Sequence, residues 1–273
     1  MTVPTSAAEI DVLFATATAL ADAAREETLK LFRSPGGLAA DNKLAGGFDP
    51  VTAADKATER RLREILAERR PEDGIFGEEY DNRTGTSGLT WVLDPIDGTR
   101  GYMSGTPTWG VLIGLCEELP DGPGRPLMGI VDQPYVGERF IGGFGRAEMT
   151  GPMGRTALAT RKTRALDQAT LFSTFPEVGT PEEGAAFARL SQQVRLTRYG
   201  MDCYAYALIA LGQIDLVVEA GLHPYDVDGP IAVIEAAGGI VTDWQGGPAW
   251  RGGRVLAAAN PEIHAAAMAV LNG

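Results

Sequence analysis

The sequence predicts a mixed α/β protein made of two successive lobes. Three observations carry this expectation. Apolar residues recur at helical spacing near the N-terminus. Short apolar runs punctuated by Gly and Pro fill the middle of the chain, and strands and helices alternate through the rest. A soft boundary near residues 145–165 divides the 273 residues into an N-terminal α+β lobe, 1–150, and a C-terminal α/β lobe, 151–273.

Ile10, Leu13, Phe14, Ala17, Leu20 and Ala21 form one stripe and predict a helix over 6–33, closed by Ser34-Pro35-Gly36-Gly37. Thr52 with Asp55 has capping-box spacing and opens a helix over 53–70, which Pro71 stops. Residues 74–77 read as a strand running into Glu78 and Glu79, 81–88 as a turn, and 91–93 as a buried strand ending at Asp94. Strands over 109–116, 127–132 and 138–143 follow, and the turns between them predict antiparallel meanders. The second half reads as strand 170–173, helix 181–194, a helix within 198–211, strand 214–218 and a loop over 219–225. Helix 226–237, capped by Gly238-Gly239, then strands 240–243 and 254–259 and helix 260–271 complete it.

Composition narrows the function. Lys+Arg number 24 against 36 Asp+Glu, a net charge of -12, and the sequence pI is near 4.7. That balance excludes a sequence-independent nucleic-acid binder and disfavours an anionic membrane surface. With 44% hydrophobic and 22% charged residues, the chain is of ordinary globular composition. Cys116 and Cys203 belong to no C-x-x-C pair and read as buried free thiols. The N-terminus has no basic start and no apolar run reaches membrane-spanning length, so a cytoplasmic protein is expected. An acidic protein still binds an anionic substrate where divalent cations reverse the local sign, so the placement of the acids matters.

The most informative string is Trp91-Val92-Leu93-Asp94-Pro95-Ile96-Asp97-Gly98-Thr99. A hydrophobic strand ends in an acid, and a second acid follows within reach of the same or an adjacent cation. Pro95 interrupts the ladder and leaves the Ile96 carbonyl available as a ligand. Hard oxygen donors of this kind suit Mg²⁺. Gly98 permits close approach of a phosphate, with the Gly98 and Thr99 amides as donors. Taken alone, the string is also a tight turn. Asp49 in Phe48-Asp49-Pro50-Val51-Thr52, Glu78 in Gly77-Glu78-Glu79, and Asp226 at the start of a helix add three acids, each with a structural reading of its own.

Together these motifs, with Gly238-Gly239 twelve residues after Asp226, resemble the inositol monophosphatase family over nearly the whole chain. The resemblance implies a layered α-β-α-β-α sandwich of two closely packed lobes, hydrolysis of small phosphomonoesters with two to three Mg²⁺ ions per site, and a homodimer. Within the family the chain is most similar to the histidinol-phosphatase branch, through Arg100-Gly101-Tyr102, Asp132-Gln133-Pro134-Tyr135, the segment from Arg198 to Tyr206, and Pro224-Tyr225-Asp226. It departs from that branch at Met201, where Gly is usual, and at Asp228 and Pro230, which replace small or apolar residues.

The resemblance implies that Glu78, Asp94 and the Ile96 carbonyl hold one cation and that Asp94, Asp97 and Asp226 hold a second. Thr99 and Asp49 match the pair that orients and deprotonates the attacking water, with Glu78 assisting. Gly98, Thr99, Asp97, Asp202, Glu219 and Arg198 form the substrate-binding set. Asp202 and Glu219, on the leaving-group side, suit a substrate with a cationic end, while Asp202 paired only with Arg198 is the plainer alternative. His223 and His264 have no second histidine at ligand spacing, so a phosphohistidine is not expected. Competing expectations are inositol monophosphate or a broader range of phosphate esters as substrate, and a catalytically silent metal or phosphate sensor.

Overall fold

The computed structural model describes residues 6–34, 40–42 and 50–273. Ser6 caps α1 (Ala7–Leu31) by accepting from the Glu9 amide, and the stripe read from the sequence is buried from Leu13 to Ala24. Two short strands, β1 (Ala40–Asn42) and β2 (Pro50–Thr52), pair antiparallel. The expected capping box then opens α2 (Ala53–Arg69): the Thr52 amide and hydroxyl both donate to Asp55 Oδ2, at 2.8 and 2.5 Å.

A seven-stranded sheet follows, in the order β3 (Gly74–Gly77), β4 (Leu89–Asp97), β5 (Gly110–Leu119), β6 (Gly122–Gln133), β7 (Glu138–Gly143), β8 (Arg146–Gly151), β9 (Gly154–Ala157). All its pairs are antiparallel except β3 with β4, so the meander expected from turn residues is present. A short helix, α3 (Thr99–Ser104), interrupts the path from β4 to β5.

The second sheet, in the order β11-β10-β12-β14-β13, comprises β10 (Thr170–Ser173), β11 (Leu196–Tyr199), β12 (Leu216–Leu222), β13 (Ile240–Thr242) and β14 (Gly253–Ala258). Its helices are α4 (Pro181–Ser191), α5 (Cys203–Ala210), α6 (Pro224–Ala236) and α7 (Pro261–Asn272).

Three apolar clusters define the layers. Leu13, Leu20 and Leu66 of α1 and α2 pack on Trp91, Leu93 and Ile113 of the first sheet. Tyr206, Ile209, Val227 and Ile231 of α5 and α6 fill the space between Val131 and Phe140 of that sheet and Val217 and Val255 of the second. Phe187 and Leu190 of α4, with Ile263 and Leu271 of α7, cover the outer face. The order is therefore α-β-α-β-α, as the resemblance implied.

The seat of α6 is unusually close. A Cβ at Gly129 on β6 would lie 2.2 Å from the Gly229 carbonyl oxygen, and one at Gly142 on β7 would lie 2.4 Å from Val233 Cα. Helix and sheet thus meet backbone to backbone, and only glycine fits between them. Asp228 on the same helix is fully buried, and Cys116 Sγ approaches its Oδ2 at 3.3 Å. Burial raises its carboxyl well above the usual range, so this departure from the family pattern is an acid packed in the core.

The structure differs from the expectation in places with physical causes. The strand expected over 91–93 runs from Leu89 to Asp97, because Pro95 sits beside an irregularity where its missing amide costs nothing. The loop expected over 219–225 is strand up to Leu222 and helix from Pro224. β1, β2, β8, β9, β11 and α3 were not anticipated. β9 is wholly exposed and β11 nearly so, and these two edge strands bury no apolar alternation for a pattern to reveal. Gly129→Ala should therefore destabilise the protein by about 1–3 kcal/mol through overpacking. Urea unfolding of the variant against the parent chain checks this.

Candidate active site

Strand β4 carries Asp94 and Asp97, an odd separation that would place them on opposite faces of a regular strand. Asp94 pairs with Leu112 but Asp97 with Gly110, so β4 holds one extra residue over this step. The bulge turns both acids to one side. β12 has the same irregularity in the second sheet, where Glu219 pairs with Val255 and Leu222 with Gly253. Two bulged strand ends therefore face the same cleft, and the first turn of α6 closes it with Asp226.

Carboxylate oxygens of Asp94, Asp97 and Asp226 lie within 4.8 Å of one another. Each of these acids accepts one main-chain amide: Ile96 N–H on Asp94 Oδ1 at 3.0 Å, Cys203 N–H on Asp97 Oδ2 at 2.6 Å, and His223 N–H on Asp226 Oδ2 at 2.6 Å. The amides fix the carboxylates while opposing only part of the crowded charge. Burial, then Glu78, Asp97 and Asp226, push the Asp94 carboxyl well above its ordinary range. Burial, then Asp202 and Asp226, do the same for Asp97. An all-oxygen set whose members repel one another is what a hard divalent cation relieves, so these residues fit such an ion.

The cleft, about 390 Å³, is lined by these three acids and also by Glu78, Ile96, Gly98, Thr99, Asp202 and Glu219. A larger cavity of about 500 Å³, near Arg83 and Glu118, contains none of the clustered acids, so size does not mark the site here. The Thr99 hydroxyl donates to the Ile96 carbonyl at 3.1 Å. Gly98 adopts φ 79°, and a Cβ there would lie 2.8 Å from Asp202 Cγ, so glycine is required on both counts. Asp49 lies outside the described residues.

Asp202 has φ 46°, a left-handed conformation uncommon for a residue with a side chain. Burial raises its carboxyl, opposed by a hydrogen bond from Thr108 at 3.3 Å and by the charge of Arg100. Its neighbours are thus Thr108 and Arg100. Arg198 corrects the expected substrate-binding set: it stands exposed on the edge strand β11 and does not line the cleft, because that strand lies on the far side of β10. The arginine that does line the cleft is Arg100, whose guanidinium packs 4.8 Å from the ring of Phe175 across the mouth.

Reading the sequence missed Arg100, Thr174 and Phe175 as lining residues. Arg100 follows the motif directly and was within reach of inference, but Thr174 and Phe175 simply follow β10 and carry no local signal. Asp55, read only as a cap, is also a buried acid whose carboxyl burial raises to about 6, and its charge reaches Asp94. His223 flanks the cleft with its ring stacked on Tyr225 at 5.1 Å, while His264 on α7 meets Thr242 Oγ1 of β13.

The inositol monophosphatase family model matches residues 9–272. The chain belongs to this family and is a phosphatase acting on small phosphomonoesters. It is 33% identical over 261 residues to the histidinol-phosphatase of Streptomyces coelicolor, covering 93% of this chain and 94% of that one. It is 39% identical over 240 residues to the bifunctional phosphatase IMPL2, chloroplastic, of Arabidopsis thaliana, covering 87% of this chain but 66% of the plant protein. An inositol monophosphatase structure from Zymomonas mobilis superposes with a TM-score of 0.83 at 38% identity, covering 98% of this chain and 100% of that one. Among the described residues, no helix is long and apolar enough to cross a membrane.

Glu219 gives the site a pH signature. Burial raises its carboxyl to about 7, opposed by donors from Thr174 and Ser173. An acid with a raised folded-state pKa stabilises the fold relative to high pH. Its contribution is complete below the unfolded value of 4.5 and is lost as pH climbs to about 7. Metal-free protein should lose up to roughly 3 kcal/mol from this group across that window. Asp94 and Asp97 act in the same direction, so Glu219→Gln should show a shallower decline, not a flat one. Urea unfolding at pH 5 and pH 8 measures the difference.

Proposed function

We propose that this phosphatase hydrolyses L-histidinol phosphate to L-histidinol and phosphate. The observation that carries the reading is the pairing, in one cleft, of the Asp94–Asp97–Asp226 cluster with two further acids, the half-buried Asp202 and the buried Glu219. The cluster suits the phosphate end of a substrate once Mg²⁺ is present. The other two acids suit a leaving group bearing an amine and an imidazole, both able to be cationic. The likeness to the Streptomyces enzyme along nearly its full length supports the same substrate.

In this reading Glu78, Asp94 and the Ile96 carbonyl would hold one Mg²⁺, Asp94, Asp97 and Asp226 would hold a second, and Glu78 would also serve a third, more loosely bound ion. When bound, the cations lower the pKa of the attacking water and neutralise charge on the phosphate and the leaving oxygen. The chain's own groups supply orientation. Thr99 spends its proton on the Ile96 carbonyl, so its oxygen lone pairs are left to accept from a water. Asp49 then takes the proton of that water, with Glu78 assisting. Gly98 and Thr99 offer amides to the phosphate, and attack is direct and in line, without a phosphoenzyme.

The buried free thiols Cys116 and Cys203 support a cytoplasmic location, and a homodimer belongs to the same proposal. So does a two-lobe division close to 1–150 and 151–273. It is supported by the first sheet ending at Ala157 and the second opening at Thr170.

Phosphate release in Mg²⁺ across a panel of esters tests the substrate. Histidinol phosphate should show the highest kcat/KM. A higher value for inositol 1-phosphate would assign the chain to the reading that the Zymomonas neighbour favours. Asp94→Asn should lower kcat by roughly 100- to 1,000-fold, the usual cost of removing one electrostatic stabiliser. Activity that survives this substitution would remove Asp94 from the site.

A further inference from the structure

Glu78 stands just beyond β3, an edge strand whose only ladder is with β4. Gly77 still pairs with Leu93 and Arg83 bridges back to Ile75, but neither pairing holds the segment between them from Glu78 to Asp81. Helix α2 does. Glu59 on α2 is fully buried yet takes no part in the acid cluster. Its Oε2 accepts the Glu79 amide at 2.7 Å, and its Oε1 accepts Arg63 Nε at 2.8 Å. Arg63, one turn further on, donates through its two terminal nitrogens to the Asp81 and Tyr80 carbonyls, both at 3.0 Å. The Tyr80 hydroxyl returns to the Lys56 carbonyl at 3.1 Å. Three successive residues after Glu78 are thus tied through their main chain to about one turn of helix.

The contact is tight as well as polar. A Cβ at Gly77 would lie 2.1 Å from Glu59 Oε1, so the loop backbone is pressed against the carboxylate. A buried ion pair is a poor way to gain stability, since apolar residues of similar volume do as well or better. What it offers is direction, because a carboxylate and a planar guanidinium satisfy fixed backbone groups at fixed angles.

We propose that Glu59 and Arg63 are positioning residues: together they lock the peptide after Glu78 and so aim its carboxylate into the cleft, next to Asp94. This rests on the reading of Glu78 as a cation ligand. The pair acts on the ion through the loop, as groups behind metal ligands do, and such groups set affinity on the order of 10- to 100-fold.

The test uses the full chain and Mg²⁺ alone, titrated calorimetrically into substrate-free protein, with thermal unfolding of each metal-free variant in parallel. Glu59→Gln should weaken Mg²⁺ binding on the order of tenfold. Arg63→Lys keeps a cation beside Glu59 but cannot fork to two carbonyls, so a smaller loss is expected. This variant decides the matter if Glu59→Gln fails to fold. In activity assays the defect should appear in the Mg²⁺ concentration for half-maximal rate, with kcat largely recovered at saturating Mg²⁺. Parental Mg²⁺ affinity in both variants, even with a lowered Tm, would reduce the pair to a structural brace and overturn the proposal. Glu78→Gln is the control. If it binds Mg²⁺ as the parent does, the ligand assignment falls and the clamp falls with it. If it binds weakly while the two α2 variants bind normally, the clamp alone is wrong.

Discussion

Three carboxylates held within 4.8 Å of one another at a buried strand end repel each other, and the rest of the structure answers to that constraint. Left to solvent, Asp94, Asp97 and Asp226 would swing apart. Here each is held by a main-chain amide, and the amides come from three different segments: the end of β4, the entry to α5 and the entry to α6. No single element could assemble the cluster, so the packing of the layers and the geometry of the site are one problem.

The fold solves that problem with backbone more than with side chains. The bulge in β4 brings Asp94 and Asp97 to one side, and the bulge in β12 shapes the facing wall. The glycines of β6 and β7 let α6 lie directly on the first sheet, which fixes its N-terminal turn and Asp226 with it. The middle helical layer is apolar around this seat, apart from the buried acid at Asp228.

Much of this was legible in advance. The capping box at Thr52, the glycine cap after α6 and the helical stripe of α1 are local signals, and local physics decided them. The motif from Asp94 to Thr99 was legible because its residue types are rare in that order after an apolar strand. The bulges were not, since one extra residue in a ladder changes no composition and only a partner strand reveals it. Edge strands such as β11 were missed because, mostly exposed, they bury no alternation, and Arg198 on that edge was misplaced for the same reason. Phe175 reaches the cleft by a tertiary accident of where β10 ends.

The close seat of α6 also sorts the walls of the cleft by how freely they can change. On one side, a methyl group added beneath α6 meets main chain, so neither helix nor sheet can be resized without displacing Asp226. The other side is formed by Thr174 and Phe175 after β10 and by the left-handed turn at Asp202, where side chains face the cleft. The phosphate end and the leaving-group end are therefore built to different tolerances. Relatives can share one chemistry while diverging in what they release, because the variable wall can be rewritten without touching the fixed one.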